Sequence, residues 1–302
     1  MSVEPAPELH HHPVKGVAFM LAGTVFFALA DALGKWLTAL YPLFQVSWLR
    51  SVMGLLLVGG VALASGQGMQ LRTRRPVPHL LRSLVSIGLS LGIFYGLRSI
   101  PLAEFVAIIF TTPIMLAVLS PWLLGESVSG RTWAAVTLGF VGILLVVRPI
   151  PGHFHVAHFT TLGIALTTAL LAISARTLSR TETGLSLNFY IYPGNVLFAA
   201  WFAWRDWMPM DALSWLLMLM LGVTATVALW CLIQAMRCAR PAMVAPLDYV
   251  RLVWTILLGF YVWGEVPVAA TWAGMLIIVT CGAYVMTHSG LLPAGGGRGQ
   301  RA

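Results

Sequence analysis

Charged residues are scarce in this chain, and their scarcity decides its class. Asp, Glu, Lys and Arg make up only 9% of the 302 residues, whereas soluble domains carry about 25%. With 59% hydrophobic residues and a mean hydropathy of +0.86, the chain cannot cover a water-exposed surface. The composition therefore predicts an integral membrane protein. We interpret the formal charge of +8 as a bias of the loops, not as a nucleic-acid-binding surface.

Cysteine and histidine offer little chemistry. The three cysteines, Cys231, Cys238 and Cys281, all lie in apolar segments, which excludes a disulfide framework and predicts neither a metal site nor a cofactor. The motifs of a P-loop, an HExxH zinc site and a nucleophile elbow are absent, so we predict that the chain is not an enzyme. His10, His11 and His12 are interpreted as part of a solvated leader in preference to a metal-capture site. His153, His155 and His158 are interpreted as loop residues without the helical spacing of a preformed metal site.

Long apolar runs are abundant instead. A helix needs about 20 apolar residues to cross a bilayer. The polar leader, 1–15, is expected to be disordered, and the Gly-rich tail, 288–302, is expected to be flexible. Between them the sequence predicts ten membrane spans: 16–37, 44–65, 80–98, 102–123, 132–148, 160–178, 186–204, 213–236, 242–263 and 270–287.

Basic residues are distributed unevenly between the predicted loops. With the N-terminus inside, 12 of the 18 Lys and Arg residues fall in inner loops and tails, and three lie within spans. Only Arg98, Arg148 and Arg205 fall in outer loops. Cytoplasmic loops of membrane proteins carry such an excess of positive charge. The sequence therefore predicts that both termini are cytoplasmic, which requires an even number of spans.

The chain contains an internal duplication at an offset of 139 residues. Gly125-Glu126 falls on Gly264-Glu265, and the Thr-Trp-Ala sequence that starts at Thr132 recurs at the same offset. Each half holds five spans, and because five is odd the second half enters the membrane the other way up. Such inverted repeats are typical of secondary transporters, whose solute site lies between the halves. The first half, the outer linker and the second half are predicted at 16–148, 149–159 and 160–287.

Five charged residues stand out because they lie well inside predicted spans, where charge is costly. Asp31 and Lys35 are one helical turn apart, Asp248 and Arg251 are three residues apart, and Arg50 lies about two turns into its span. One interpretation is that these charges neutralise each other and hold helices in register. The other is that they line a water-filled cavity and contact a polar or zwitterionic solute. For Asp248 and Arg251 the sequence leaves both interpretations open. For Asp31 and Arg50, which lie toward the outer end of their spans, it favours a structural or gating role.

Helix breakers and small residues mark further positions. Prolines within spans permit kinks, which predicts gates or static bends at Pro113, Pro193 and Pro246. Small residues at a spacing of four allow close helix approach, which predicts helix packing at Gly88, Gly92 and Gly96. Aromatic residues inside the spans would suit a cavity for an apolar or aromatic solute, or alternatively core packing: Tyr95, Tyr190, Trp230, Tyr249 and Trp254.

The layout and several motifs resemble a known family. The motifs are WLRSVMGLLL around Arg50, SPWLLGESVSGRTWAAVTLGFVGILLV from Ser120, APLDYVRLVW from Ala245 and GFYVWGEVPVAATWAGMLIIVTCGAYV from Gly259. Across residues 16–287 the chain resembles the EamA-type transporters of the drug/metabolite transporter (DMT) superfamily. The resemblance implies export of amino acids, including aromatic ones in the YddG-like branch, or movement of other metabolites, nucleotide-like cofactors or drugs.

We expect a secondary transporter in a bacterial cytoplasmic membrane that exports a small organic solute, such as an amino acid, by alternating access. A proton or another coupling ion is a candidate partner beside the solute and the lipid bilayer, with Asp31 and Asp248 as candidate proton carriers. The alternative is an intramembrane enzyme acting on lipid or prenyl substrates. That alternative needs clustered acids, buried histidines or a nucleophile at one depth, and the sequence predicts no buried histidine.

Overall fold

The computed structural model describes residues 13–73, 75–125, 129–148, 155–178, 181–239 and 244–288. Within these residues the chain is helical and contains no strand. One 3-10 helix, Ala245–Val250, leads directly into the α-helix that begins at Arg251, and another, Gly68–Leu71, precedes the α-helix that begins at Pro76. The helices are α1 (Pro13–Leu40), α2 (Leu43–Ala64), α3 (Pro76–Ser99), α4 (Leu102–Ile109), α5 (Thr112–Leu124), α6 (Gly130–Val147), α7 (Val156–Leu178), α8 (Gly184–Phe189), α9 (Tyr192–Arg205), α10 (Ala212–Cys238), α11 (Arg251–Trp263) and α12 (Ala269–His288).

The predicted all-α membrane protein is confirmed. Seven helical segments of the described chain are long and apolar enough to cross a membrane, and the broken span α4–α5 counts as one of them. The count of ten spans and the cytoplasmic placement of both termini stay predictions. Several predicted features lie outside the described residues: most of the leader with His10, His11 and His12, Glu126, His153, and the tail from 289 onward.

Three of the predicted spans are not single α-helices. One consists of α4 and α5, one of α8 and α9, and one of the 3-10 helix that continues into α11. Pro113, Pro193 and Pro246 are the second residues of α5, α9 and this 3-10 helix. Proline fits there because the first turn of a helix has no acceptor for a backbone N–H. The three prolines thus lie where a new helical segment begins.

The packing repeats with the same 139-residue offset as the sequence. Phe110 lies where α4 ends, and Tyr249, 139 positions later, lies near the end of the 3-10 helix. Their rings contact each other, with centroids 4.7 Å apart. A residue that touches its own equivalent lies next to a two-fold axis. The contact therefore marks the axis that relates the two halves.

A second set of contacts has the same symmetry. Where α6 packs on α12, Gly139 faces Cys281 and Gly142 faces Ile278. At an offset of 139, Gly139 corresponds to Ile278 and Gly142 to Cys281, so each contact is the two-fold counterpart of the other. The same operation exchanges the packing of α1 on α10 with that of α3 on α7. The described helices therefore form two equivalent halves.

The close approach of α6 and α12 depends on Gly274. A Cβ at this position would lie 2.6 Å from the carbonyl oxygen of Gly142, a backbone atom that cannot rotate away. We expect Gly274→Ala to lower the free energy of unfolding by roughly 1–3 kcal/mol, the usual cost of overpacking, and to lower the Tm of the purified protein. Gly163→Ala in α7 is the control, because a Cβ there meets nothing within 4 Å. Equal Tm values for the two variants would contradict this packing.

The three glycines of α3 differ in their surroundings. A Cβ at Gly92 would lie 3.0 Å from Cγ1 of Ile164, and one at Gly96 would lie 2.7 Å from Cε2 of Phe105. At Gly88 a Cβ would meet nothing within 4 Å. The close approach predicted for all three positions is therefore present at two of them and has to be corrected for Gly88. The reason is that Gly88 faces away from the helices that α3 packs against.

Candidate solute site between the two halves

One buried ion pair joins the two halves of the chain. Asp31 lies on α1, and Arg251 is the first residue of α11. Nε of Arg251 donates a hydrogen bond to Oδ2 of Asp31 at 3.0 Å, and Nη2 of the same guanidinium donates to the same oxygen. Both side chains are 11% exposed. The guanidinium also lies 4.9 Å from the ring centroid of Phe27. Removing either partner would leave an uncompensated buried charge.

This pairing differs from the one that the sequence predicts. Spacing along one helix places Asp31 next to Lys35, and Asp248 next to Arg251. In the structure Asp31 pairs with Arg251, and Lys35 pairs with Glu265. The physical reason is that α1 packs against the 3-10 helix and α11. Packing between helices supplies partners that spacing along a single helix cannot reveal.

Asp248 and Arg50 complete a group of four charges, here called the central cluster (Asp31, Arg50, Asp248 and Arg251). Asp248 interacts electrostatically with Arg251 and Asp31, and Arg50 interacts electrostatically with Asp31. Neither the carboxylate of Asp248 nor the guanidinium of Arg50 forms a hydrogen bond or an ion pair with the residues that the structure describes. Four residues that the sequence marks by their charge are thus brought together. Two of them keep free hydrogen-bonding capacity.

A cavity of about 140 Å³ opens beside Arg50, and we call it the Arg50 cavity. Its walls come from α1 and α2 of the first half and from α9 and α10 of the second. One cation and two aromatic rings stand among mostly apolar groups, an arrangement typical of sites that orient a polar ligand. The lining residues are Phe27, Arg50, Gly54, Tyr192, Gly222, Ala225, Thr226 and Leu229.

A larger cavity of about 440 Å³ lies between α2 and α9. Alanine and tryptophan side chains line it, among them Trp48, Trp207 and the 86% exposed Trp204. Its described lining includes no charged side chain that could orient a polar solute. Among the residues that the structure describes, no three His, Cys, Asp or Glu side chains are grouped to hold a metal ion. The smaller Arg50 cavity is therefore the better candidate site.

A second contact between the halves, here called the latch, consists of Lys35, Glu265 and the start of α4. Nζ of Lys35 donates to Oε1 of Glu265 at 2.5 Å and to the carbonyl oxygen of Ile100 at 2.8 Å. Oε2 of Glu265 accepts a hydrogen bond from the backbone N–H of Leu102 at 2.8 Å. A carboxylate is favoured there because the N-terminus of a helix carries partial positive charge. Two helices of the first half are thus tied to the loop that follows α11.

Glu104 is the centre of a polar group at the same end of α4. Its side chain is buried. Nη2 of Arg148 lies 3.2 Å from Oε1 of Glu104, Nε2 of His158 lies 3.3 Å from Oε2, and the Thr271 hydroxyl lies 3.5 Å from Oε1. The carboxylate therefore connects α4 with the end of α6, the start of α7 and the start of α12.

Two of the histidines that the structure describes are buried, and the sequence prediction that none is buried is wrong. His158 belongs to α7, because that helix begins two residues earlier, and it is only 2% exposed. With its proton on Nε2 facing Glu104, its Nδ1 accepts from the backbone N–H of His155 at 3.2 Å. His79, near the start of α3, is 1% exposed, and its Nε2 lies 3.4 Å from Oε2 of Glu182.

Arg82 connects the halves at the opposite end of α3 from the latch. It lies 17 positions before Ser99, the last residue of α3, which is roughly 26 Å along a helix. Nη1 donates to the carbonyl oxygen of Leu171 at 2.7 Å and to the hydroxyl of Ser174. Nη2 donates to the carbonyl oxygen of Leu187 at 3.5 Å. Hydrogen bonds between the halves therefore exist at both ends of the bundle and at its centre.

The aromatic residues predicted as cavity walls do not form one wall. Tyr249 is buried against Phe110 on the two-fold axis, and the rings that line the Arg50 cavity are those of Phe27 and Tyr192. The other four lie elsewhere: Tyr95 with its ring centroid 6.4 Å from that of His155, Tyr190 4.5 Å from that of His79, Trp230 5.4 Å from that of Phe19, and Trp254 with its Nε1 3.3 Å from the hydroxyl of Thr24.

Sequence reasoning also missed polar residues within predicted spans. Glu104 is a single carboxylate near the start of the predicted span 102–123, and the rule that intramembrane acids mark functional or paired positions would have found it. Asn195 lies in the span 186–204, and its Nδ2 donates to the hydroxyls of Ser47 at 3.0 Å and Ser51 at 2.6 Å. Such amide contacts between helices hold membrane bundles together. Their partners are visible only in the structure.

The two-fold architecture agrees with a comparison against protein families. The model of the EamA-like transporter family matches the chain twice, over residues 14–148 and 155–287. The chain belongs to the EamA-like transporter family. The match confirms the predicted resemblance to EamA-type transporters of the DMT superfamily. Because the family is one of transporters, the prediction that the chain is not an enzyme is also confirmed. Family membership, the bacterial relatives and the seven described segments that are long and apolar enough to cross a membrane place the chain in the cytoplasmic membrane as a multi-pass protein.

Several curated relatives of this EamA-like chain are transporters. It is 27% identical to a riboflavin transporter of Vibrio cholerae, covering 92% of this chain and 94% of the relative. It is 22% identical to an S-adenosylmethionine uptake transporter of Rickettsia prowazekii, covering 90% and 92%. It is 27% identical to the pseudopaline exporter CntI of Pseudomonas aeruginosa, covering 91% and 97%. A solved crystal structure has the same fold, with a TM-score of 0.61 at 20% identity over 89% of this chain and 96% of that one.

Proposed function

We propose that this transporter moves a small organic metabolite by alternating access, with the solute held beside the central cluster. The observation that carries the proposal is the Asp31–Arg251 ion pair. It joins one half to the other and lies next to Arg50, which has no ion-pair partner among the described residues. Intramembrane charges are costly and usually functional. A solute that binds here touches both halves and can respond to their relative movement.

The contacts at the two ends of the bundle support this mechanism. The latch ties the halves together at the start of α4, and Arg82 ties them together at the start of α3. Alternating access requires one end to open while the other stays closed. We propose that the latch and the Arg82 contacts break in alternation. With the predicted orientation of the chain, the latch is on the outer side and Arg82 on the inner side.

Counterflow in proteoliposomes tests this function. Vesicles that contain the purified full chain are loaded with an unlabelled solute, and entry of the labelled solute is followed. The panel consists of amino acids, riboflavin, S-adenosylmethionine and pseudopaline, the last three because relatives are named for them. Saturable counterflow of at least one solute is expected. Entry no faster than into protein-free vesicles across the whole panel would contradict the proposal.

The finer proposal is export of amino acids, with aromatic ones as the first to test. Its support is the resemblance to amino-acid exporters and the pair of rings, Phe27 and Tyr192, in the wall of the Arg50 cavity. Aromatic side chains contribute large apolar contact areas to aromatic ligands. Preference for phenylalanine, tyrosine or tryptophan over alanine in counterflow is the expected result. Equal rates for all four would remove the aromatic part of the proposal.

Asp248 is the proton carrier that we propose if transport is coupled to a pH gradient. The carboxylate of Asp31 accepts hydrogen bonds from Arg251, whereas the carboxylate of Asp248 forms no hydrogen bond with the described residues, although both Arg251 and Asp31 act on it electrostatically. We expect Asp248→Asn to abolish accumulation driven by a pH gradient and to retain counterflow, which needs no gradient. Asp206→Asn, at an exposed site, is the control. Unchanged gradient-driven accumulation in Asp248→Asn would exclude this role.

A further inference from the structure

We infer that the Arg50 cavity binds an anionic group, so that the transported solute is an organic acid or carries a carboxylate that reaches Arg50. The consequence for transport rests on the proposed function, whereas the binding preference is a property of the cavity itself. Four observations lead to this inference: the charge of the lining, its hydrogen-bond donors, its rigid walls and its size.

The lining carries one charge, and that charge is positive. Arg50 is the only charged residue among the described residues that line the cavity. Asp31 acts on Arg50 electrostatically, but its hydrogen bonds are with Arg251. Arg50 itself has no hydrogen bond or ion pair with described residues. An unpaired guanidinium in a membrane interior is costly. A bound anion would remove that cost, and guanidinium matches carboxylate and phosphate geometry in particular.

The remaining polar groups of the cavity favour the same ligand. The Tyr192 hydroxyl has no hydrogen-bond partner among the described residues, so it is free to donate to a ligand. The Thr226 hydroxyl already donates to the carbonyl oxygen of Gly222 at 2.8 Å. The free donors therefore belong to Arg50 and Tyr192. A ligand group that only accepts hydrogen bonds satisfies both, whereas an ammonium group satisfies neither.

Close packing fixes the cavity walls. A Cβ at Gly54 would lie 2.5 Å from Cε1 of Tyr192, so the ring lies directly against the backbone of α2. A Cβ at Gly222 would lie 2.9 Å from Sδ of Met53, so α10 also lies close to α2. Larger residues at either glycine would displace these walls. The helices around Arg50 are consequently in contact with each other, so the cavity wall is formed before a ligand binds. A preformed wall loses less conformational entropy on binding.

The volume limits what part of a solute can enter. Sites for whole drug-sized ligands measure about 300–1,000 Å³, whereas this cavity measures about 140 Å³. In this conformation the cavity therefore holds an acidic end group with a small apolar body, or the acidic end of a larger solute. A large planar solute would have to extend beyond these walls. The inference accordingly concerns the group that Arg50 holds, and it predicts that small acids already bind.

Matched small probes test the inference on the detergent-purified full chain. Phenylacetate, phenylacetamide and phenethylamine share a ring and a methylene group and differ in charge near neutral pH. Benzylphosphonate adds a phosphate-like anion. At saturating concentration phenylacetate is expected to raise the Tm by about 3 °C or more, because ligands of the native state stabilise it. The amide and the amine are expected to leave the Tm unchanged. A Tm rise with benzylphosphonate as well would extend the site to phosphate-type anions.

Two variants of Arg50 and one control complete the test. Arg50→Gln is expected to weaken phenylacetate binding at least roughly tenfold, because a charge-assisted hydrogen bond is lost, and Arg50→Lys is expected to keep part of it. Arg205→Gln removes an exposed arginine elsewhere and should bind like the wild type.

Equal Tm shifts with the acid and the amide, or an unchanged Tm shift in a folded Arg50→Gln protein, would overturn the inference. Acid binding without counterflow of any solute would overturn the proposed function alone, and counterflow without acid preference would overturn the inference alone.

Discussion

Arg251→Ala is expected to reduce counterflow by at least roughly tenfold per molecule of folded protein. The Arg251 guanidinium forms the hydrogen bonds that Asp31 makes with the described residues, and both side chains are almost completely buried. Breaking a buried pair costs about 3–5 kcal/mol because a charge is left unpaired, and each factor of ten corresponds to about 1.4 kcal/mol. Because the pair joins the two halves, its loss also changes the relative free energies of the conformations that the halves adopt during transport. Counterflow should therefore slow. Counterflow of the best panel solute measures the effect.

A double-mutant cycle separates the pair from its individual residues. Asp31→Asn removes the charge that Arg251→Ala leaves unpaired, so the double variant should be more stable than the sum of the single effects predicts. The expected coupling lies within the roughly 0.5–3 kcal/mol found for residues in contact. Arg205→Ala is the control, since its side chain is 73% exposed and its pair with Asp206 contributes little. If Arg251→Ala retains full counterflow, then the Asp31–Arg251 pair stabilises the fold and has no role in transport.

Glu265→Gln is expected to open the latch end of the transporter. The carboxylate of Glu265 accepts hydrogen bonds from Nζ of Lys35 and from the backbone N–H of Leu102. The substituted side chain is a neutral amide, which cannot form an ion pair with Lys35 and interacts less favourably with the partial positive charge at the N-terminus of α4. Both contacts should therefore weaken. A cysteine placed by Ala103→Cys, a position now 3% exposed, should react with a membrane-impermeant maleimide about ten times faster in the variant. That factor corresponds to about 1.4 kcal/mol of bias toward the open state.

The labelling experiment needs two comparisons. Background thiols are removed by changing Cys231, Cys238 and Cys281 to serine, and counterflow of this cysteine-free background is measured first. Asp206→Asn removes a carboxylate from an exposed pair that is not part of the latch, and it should leave the labelling rate unchanged. If Ala103→Cys reacts at the same rate with and without the Glu265→Gln substitution, then Glu265 does not hold this end closed.

Much of the fold follows from the sequence because it depends on local chemistry. Apolar length predicts the membrane-crossing helices, and the Gly-Glu repeats predict equivalent ends for α5 and α11. Gly125 and Gly264 indeed end those helices with φ of 66° and 68°, a left-handed conformation that glycine adopts without strain. The offset of 139 residues also predicts which positions are equivalent. It therefore leads to the contact between Phe110 and Tyr249 on the two-fold axis.

The pairing of charges could not be predicted, because it depends on packing between the halves. Asp31 and Lys35 share a helix turn, yet each finds its partner in the second half. His158 lies at a helix start that sequence boundaries miss by a few residues, and it becomes a partner of Glu104. Which aromatic ring reaches the cavity is decided in the same way. Tyr192 lines it only because Gly54 lets α2 approach that ring.

The central claim is that the two halves move relative to each other around the central cluster, and a reversible tether between them tests it most directly. Lys35→Cys and Glu265→Cys are combined on the cysteine-free background and joined by a short bifunctional thiosulfonate, which a reductant releases. Counterflow should fall to the rate of protein-free vesicles when the tether forms and recover after reduction, while each single-cysteine variant keeps its rate under the same treatment. Counterflow that continues unchanged in fully tethered protein would contradict alternating access at the latch.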